Sequence, residues 1–425
     1  MDRWIGVPLC AGLTAVRRLG DLAGRGAARP VRRILFVKLA EQGSTVLAVS
    51  AIRAAIARVG RENVYFAVFE ENRFILDLME LIPQENVISI RVGGVGATML
   101  RTLGAIRRMR RLGIDAAIDL EFFARSSAAI SYLSGAQARI GFHPYKGEGP
   151  YRGDLMTHRL RFNPHMHSSQ TFRSMVDAID VDPDQLPAAP VVVNPVDEQP
   201  PPFRPTAEEL GKVRGLLERH GAEDGPLVLL NANCSDLIPL RAWPRERYVE
   251  LAGMLLESNP HARIAMTGAP AERDGALKLV EQIGSDRCFN LAGETTLREL
   301  LVLYTLADVL VTNDSGPAHF ATLTPIDVIT LFGPEHPALF GARSPRNHVV
   351  WAGLVCSPCV SALNNRESSC RNNLCMQSIQ ASTVHQLLLR VLRDRSRGDR
   401  EAAEEVTLEL VIAPAALGAP SRAGT

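Results

Sequence analysis

The chain has 425 residues, 46% of them hydrophobic and 22% charged, with a formal net charge of +1. That length exceeds one ordinary hydrophobic core and asks for two domains. The near-neutral balance excludes a whole-chain basic field for nucleic acid, and the composition is that of a soluble globular protein.

Residues 1–31 read as an apolar and basic leader. Trp4 to Val16 is too short for a spanning helix of about 20 residues, and Pro8 interrupts it. Arg17, Arg18, Arg25 and Arg29 follow, with Arg32 and Arg33 just beyond. Apolar residues backed by arginines fit an interfacial anchor on an anionic leaflet. The plainer alternatives are an unstructured leader or a helix packed on the domain.

From Ile34 the pattern alternates. Strands are expected at Ile34–Leu39, Val64–Phe69, Val87–Ile90, Ala116–Leu120 and Ala138–Phe142. Helices are expected between them at Thr45–Val59, Arg73–Leu81, Ala97–Leu112 (rich in arginine) and Ala124–Leu133. Such alternation predicts a parallel, doubly wound sheet. Gly147 to His167 reads as loops and Ser169–Ile179 as a helix. Prolines then crowd the chain from Pro183 to Pro205, which suits a connector; we place the first domain at 32–190 and the linker at 191–205.

A second alternating pattern occupies 206–392. Thr206 and Glu209 make a capping-box pair for a helix running to about His220. Strands follow at Leu227–Leu230, Ile264–Thr267, Val309–Thr312 and Val328–Phe332. Helices lie at Glu246–Leu256, Glu272–Ile283, Leu297–Leu306 and, after a cysteine-bearing loop at 356–375, Val384–Leu392. The tail, 393–425, is charged and then Ala/Pro-rich and reads as poorly ordered.

One stretch gathers chemistry. The strand ending at Thr312 turns at Asn313-Asp314-Ser315-Gly316 and enters a helix near Ala318. Free backbone N–H groups at a helix start attract phosphate, while Asn313, Asp314 and Ser315 are equally ordinary turn formers. With Pro317 and His319, this stretch belongs to a larger set. Leu331-Phe332-Gly333-Pro334 follows it; Arg241-Ala242-Trp243-Pro244 and Asn290-Leu291-Ala292-Gly293 precede it. Ile34-Leu35-Phe36-Val37-Lys38-Leu39 and Gly43 stand near the start. In this order the motifs resemble the glycosyltransferase family 9 proteins, which include the lipopolysaccharide heptosyltransferases. The resemblance covers roughly Arg33 to Val384.

The resemblance implies a GT-B fold, α/β, with two Rossmann-like doubly wound domains facing a central cleft. It implies an inverting transfer of a sugar, heptose foremost, from a nucleotide-diphosphate donor such as ADP-heptose, with no metal required. The acceptor it implies is a lipopolysaccharide core or another lipid-linked saccharide. The protein would then work in the cytoplasm, peripherally on the inner-membrane surface.

A metal-free transferase must stabilise its leaving diphosphate with N–H groups, helix dipoles and cations. Arg241 stands where the family usually has lysine, and we assign it to phosphate. Ser315, Gly316 and His319 join it in the donor site. So do Lys38, Gly43 and Ser44 in the first loop. Asp314, being acidic, suits a hydroxyl of the donor sugar or ribose. Leu291 and Gly293 are candidates for main-chain contacts to the base.

The family's first loop commonly reads Gly-Asp, the aspartate being the implied general base. Here it reads Gly43-Ser44, and serine cannot serve unaided. Glu41 is the nearest carboxylate and our first candidate; Asp119, at a strand end, is the second. Without a base, the chain would be a nucleotide-sugar-binding sensor or assembly partner. Finally, Cys356, Cys359, Cys370 and Cys375 have spacing open to structural zinc, an iron–sulfur cluster, free thiols or disulfides.

Overall fold

The structure is a computed structural model. It describes residues 2–22, 30–145, 149–186, 198–222, 224–234, 238–397 and 409–412. Parts of the leader, the proline-rich linker and the tail lie outside the described residues. The chain divides into two units, Met1–Pro201 with Ser361–Glu367, and Pro202–Val360 with Ser368–Thr425. Unit 1 thus borrows a short segment from late in the sequence.

Among the described residues, unit 1 is built on six strands: β1 (Ile34–Val37), β2 (Val64–Phe69), β3 (Val87–Ile90), β4 (Ala116–Asp119), β5 (Ala138–Phe142) and β6 (His158–Leu160). Their order is β3-β2-β1-β4-β5-β6, and every pairing is parallel. The central strands β1 and β4 are buried at every position, as expected when helices cover both faces. The helices are α1 (Asp2–Leu22), α2 (Gln42–Val46), α3 (Val49–Val59), α4 (Phe74–Met79), α5 (Val95–Leu112), α6 (Arg125–Leu133) and α7 (Ser168–Asp177). Strand order reverses between β1 and β4, which leaves a crevice beyond their C-terminal ends. Lys38 to Ser44 and Asp119 to Glu121 issue there.

The leader's helix, α1, packs on α6. Cys10 joins Ala128, Leu155 and Met156 in an apolar cluster, and its Sγ faces Arg125 O at 3.7 Å. Arg17 pairs with Asp154 and, at 3.0 Å, with Asp21. Its opposite side shows Trp4, Ile5, Leu9, Val16 and Leu19 exposed. Among the described residues, no helix is long and apolar enough to cross a membrane.

Among the described residues, unit 2 has seven strands: β7 (Leu227–Asn231), β8 (Arg263–Met266), β9 (Cys288–Asn290), β10 (Val309–Asn313), β11 (Asp327–Phe332), β12 (Asn347–Trp351) and β13 (Glu409–Ile412). The order is β13-β12-β11-β10-β7-β8-β9, again all parallel. β13 lies in the stretch read as a poorly ordered tail; it pairs with β12, His348 opposite Glu409. The helices are α8 (Ala207–Glu218), α9 (Arg245–Ser258), α10 (Arg273–Ile283), α11 (Leu297–Leu306), α12 (Gly316–Ala321), α13 (Pro337–Phe340), α14 (Leu374–Gln377) and α15 (Ala381–Arg397). α8 starts on the Thr206/Glu209 capping box that the sequence signals. The order reverses between β7 and β10, so the Asn313–Gly316 turn sits at the switch point.

Candidate functional site

In unit 2 the site grows from the end of β10. Asn313, fully buried, is a bracket: its Oδ1 accepts from Trp243 N at 3.0 Å and from the Tyr248 hydroxyl at 3.2 Å. Its Nδ2 donates to Asn233 O at 3.0 Å. The Trp243 indole N–H donates to Ile379 O at 2.9 Å, so this tryptophan packs rather than presenting a stacking face. These bonds fix the segment before α9 against the β10 turn and bring Arg241 over Asp314.

Arg241 Nη1 donates to Asp314 O at 3.2 Å, and its Nε lies 3.4 Å from Asp314 Oδ2. Its Nη2 pairs with Glu335, a fully buried residue just past β11 that sequence reasoning missed. The only signal was an acid after Gly333-Pro334 at the C-terminal end of a parallel strand. Burial pushes the Glu335 carboxyl up to about 8, against the pull of Arg241, and pushes Asp314 upward too. Burial thus favours the neutral acid in both carboxyls, with Arg241 opposing it in each. The upward shifts of Glu335 and Asp314 lessen the negative charge that an anion meets beside Arg241.

His319 is buried, and its Nδ1 has no hydrogen-bond partner. Burial first, and Arg241 second, lower its pKa to about 4, so the ring is neutral at pH 7. α12 has only six residues, and Ser315 makes no side-chain cap. The helix start expected at Ser315-Gly316 is therefore a short turn of N–H groups with little dipole behind it. A shallow concavity of ≈ 650 Å³ beside the start of α9 is lined by Trp243, Arg245, Arg247 and Gln377 among others, and Arg241 is not part of its wall.

The main-chain N–H groups of the base-region candidates are occupied within the fold. Leu291 N donates to Met266 O at 2.8 Å and Gly293 N to Gly268 O at 2.9 Å. Gly293 has φ +77°, and a Cβ there would come 3.0 Å from Pro270 Cα, so glycine is required by the turn itself.

In unit 1 the first loop is an acid–base knot. Lys38 is fully buried; its Nζ donates to Ala40 O at 2.8 Å and to Glu121 at 3.1 Å. Burial lowers its pKa, with Glu121 opposing. Glu121 also accepts from Leu39 N at 2.7 Å and Ala40 N at 3.0 Å. Lys38 is thus a clamp on the loop, which corrects its assignment to donor phosphate. The loop presents Glu41 at φ 66°, its side chain one quarter exposed. Glu41 pairs with Arg366 from the borrowed segment and lies 3.5 Å from Lys38 Nζ. Ser44 Oγ donates to Glu41 O at 2.9 Å, and Gly43 is buried in α2. Gly43 and Ser44 thus shape the Glu41 turn.

Asp119 does not fit a base. It is fully buried, pairs with Arg152, accepts from Ser127 Oγ at 3.0 Å and accepts from Glu121 N at 3.1 Å. Its lone pairs are spent on this internal network, closed to an incoming hydroxyl. The structure narrows the alternatives for the four late cysteines. Cys356, Cys359, Cys370 and Cys375 form no disulfide, and burial raises the Cys375 pKa to about 11. Among the described residues, no group of three or more His, Cys, Asp or Glu side chains is placed to hold a metal ion. The zinc or iron–sulfur reading is not supported.

These two sites sit in a chain with recognisable relatives. It is 31% identical over 115 residues to lipopolysaccharide heptosyltransferase 2 of Salmonella typhimurium, covering 26% of this chain and 32% of the relative. It is 28% identical over 258 residues to lipooligosaccharide heptosyltransferase 2 of Haemophilus influenzae, covering 57% of this chain and 67% of that one. The alignment to the Salmonella protein thus spans about a third of that protein's length. Among solved structures, the Escherichia coli ADP-heptose LPS heptosyltransferase II superposes with a TM-score of 0.63 at 18% identity, over 86% of this chain and 99% of the other. A Veillonella parvula family 9 glycosyltransferase gives 0.63 at 16%, over 85% and 97%. Both likenesses support the GT-B fold of two Rossmann-like units. Residues 103–369 match the sequence model of glycosyltransferase family 9 (heptosyltransferase), and the chain belongs to that family.

Proposed function

We propose that the protein transfers heptose from an ADP-activated donor to a lipid-linked saccharide of the lipopolysaccharide-core type, with inversion and without a catalytic metal. The observation that carries this reading is Arg241, held at the β10 switch point by Asp314 and Glu335 beside an unpartnered His319 nitrogen. A solved E. coli relative of the same fold is a complex with ADP. In this chain the donor diphosphate takes Arg241 and His319, while Asp314 accepts from a sugar or ribose hydroxyl.

Glu41 is the base. As the acceptor oxygen bonds to the anomeric carbon, the bond to the diphosphate breaks. The hydroxyl proton passes to Glu41, and the negative charge developing on the diphosphate is met by Arg241. Attack from the face opposite the leaving group inverts the centre. The work takes place at the cytoplasmic surface of the inner membrane, where a lipid-linked acceptor resides.

The test incubates the protein with ADP-heptose and extracted membrane acceptor, with and without EDTA, and reads product and anomeric configuration by NMR. Inverted product at equal rates with and without EDTA is expected. Donor binding with no transfer to any acceptor would instead favour the binding-protein reading, for which Ser44 at the family's acidic position is the specific argument.

A further inference from the structure

Unit 1 carries a helix face that neither site uses. α5 contains Arg101, Arg107, Arg108, Arg110 and Arg111 and no acidic residue. It buries Ala105, Ile106 and Met109 toward the sheet. On the other side Val95, Met99 and Leu100 are 58, 61 and 68% exposed, Leu103 is 39% exposed, and Val92 just before the helix is 46% exposed. Val95, Met99, Leu103, Arg107 and Arg111 follow one another at i+4 spacing, so they form a single stripe, apolar first and cationic after.

The ordinary explanation covers only part of this. Arginines in the last turn complement the helix dipole, and Arg110 Nε donates to Leu133 O at 2.7 Å. Arg101 donates to Arg91 O at 3.2 Å, and Arg108 to Glu85 O. Each of these acceptors is a neutral carbonyl, so the positive charge remains. The nearby acid Glu70 is matched by Arg91. None of this accounts for four large apolar side chains held in water beside the arginines, an arrangement that marks an interaction surface. The complement of such a stripe is an oily layer under a plane of anions.

We propose that the exposed face of α5 seats unit 1 on an anionic lipid surface, with Val95, Met99, Leu100 and Leu103 in the interface and Arg107 and Arg111 on headgroup phosphates. This rests on the reading of a lipid-linked acceptor, and it gives the protein a contact distinct from α1. α5 and α6 share one apolar cluster on the same sheet face, through Ala105, Met109 and Ile130. α1 docks on α6.

The experiment sediments the full chain with phosphatidylcholine vesicles, neat or carrying about 30% phosphatidylglycerol, across salt concentration. Binding to the anionic vesicles alone, falling as salt rises, is expected. Arg107→Glu/Arg111→Glu should weaken it on the order of 25-fold or more, at about fivefold per charge. Met99→Ser/Leu100→Ser/Leu103→Ser should weaken it while keeping its salt response. These positions are exposed, so thermal unfolding should match wild type. The proposal is overturned if wild type ignores anionic vesicles, if both variants bind undiminished, or if only Trp4→Ser/Ile5→Ser abolishes binding. It is also overturned if the α5 variants change self-association in solution and nothing else. Thermal stabilisation by ADP-heptose, read in the same variants, should be unchanged. Its absence even in wild type would count against the transferase reading and leave the vesicle result standing.

Discussion

Arg241 is pinned between Asp314, 3.4 Å from its Nε, and Glu335, which takes its Nη2. The balance among these three groups sets the charge that a donor diphosphate meets. Glu335 has its pKa raised from the ordinary 4.5 to about 8. Its proton is therefore held below pH 8 and lost as pH rises through that value. Loss leaves the guanidinium between two carboxylates, and the diphosphate is repelled. Donor affinity, measured by calorimetry with ADP, should be flat from pH 6 to 7.5 and fall by up to about tenfold per pH unit above 8. Glu335→Gln keeps a neutral hydrogen-bonding group and should abolish the decline. A decline retained in that variant would assign it to another group. Arg241→Ala should lose about 2–3 kcal/mol of ADP affinity at every pH.

Glu41→Gln should lower kcat by about 10²–10⁴-fold while ADP affinity stays within about twofold of wild type. Unchanged turnover would exclude Glu41 as the base. Ser44→Asp, which restores the family's acidic position, should recover part of the loss in the Glu41→Gln background, because the two side chains already lie in contact distance, 3.4 Å.

The strands of both sheets were largely legible because their buried runs are unbroken, as in Leu227–Asn231 and Val309–Asn313. β6 was not, since it is three residues of His-Arg-Leu in a polar loop, and β12 begins with Asn347-His348. Those strands are specified by neighbours in the sheet rather than by their own pattern. The site residues divide in the same way. Arg241, just before α9, and Asp314 and His319, just after β10, are readable from short motifs. The partner of Glu41 is not, because Arg366 is 325 positions away and reaches unit 1 only through the borrowed segment. Sequence placed Asp119 correctly at the end of β4, but burial, which decides its chemistry, depends on Arg152 from a distant loop.

The His319 ring offers a stability test. Its pKa falls from 6.5 to about 4 on folding. A depressed histidine keeps its full contribution above pH 6.5. Between 6.5 and 4 the unfolded chain takes up the proton and the folded chain does not, so stability is lost as pH falls through that window. The whole displacement corresponds to about 3 kcal/mol. Urea unfolding of wild type should show this loss between pH 6.5 and 4, and His319→Gln should flatten that part of the profile. An identical slope in the variant would show that His319 is accessible to protons in the folded state.

Asp119 and Arg152 separate a structural pair from a catalytic one. Both side chains are essentially unexposed, at 0 and 1%. Asp119→Asn leaves the Arg152 guanidinium buried without its counter-charge and should cost about 3–5 kcal/mol in urea unfolding. Replacing both, as Asp119→Asn/Arg152→Met, removes the stranded charge and should recover a large part of that loss, because an apolar pair of similar bulk avoids the desolvation of an unpaired ion. At a temperature where the single variant is folded, its kcat should stay within about threefold of wild type, far from the 100-fold or greater loss that removing a general base brings. A kcat collapse with stability intact would return Asp119 to the reaction and displace Glu41.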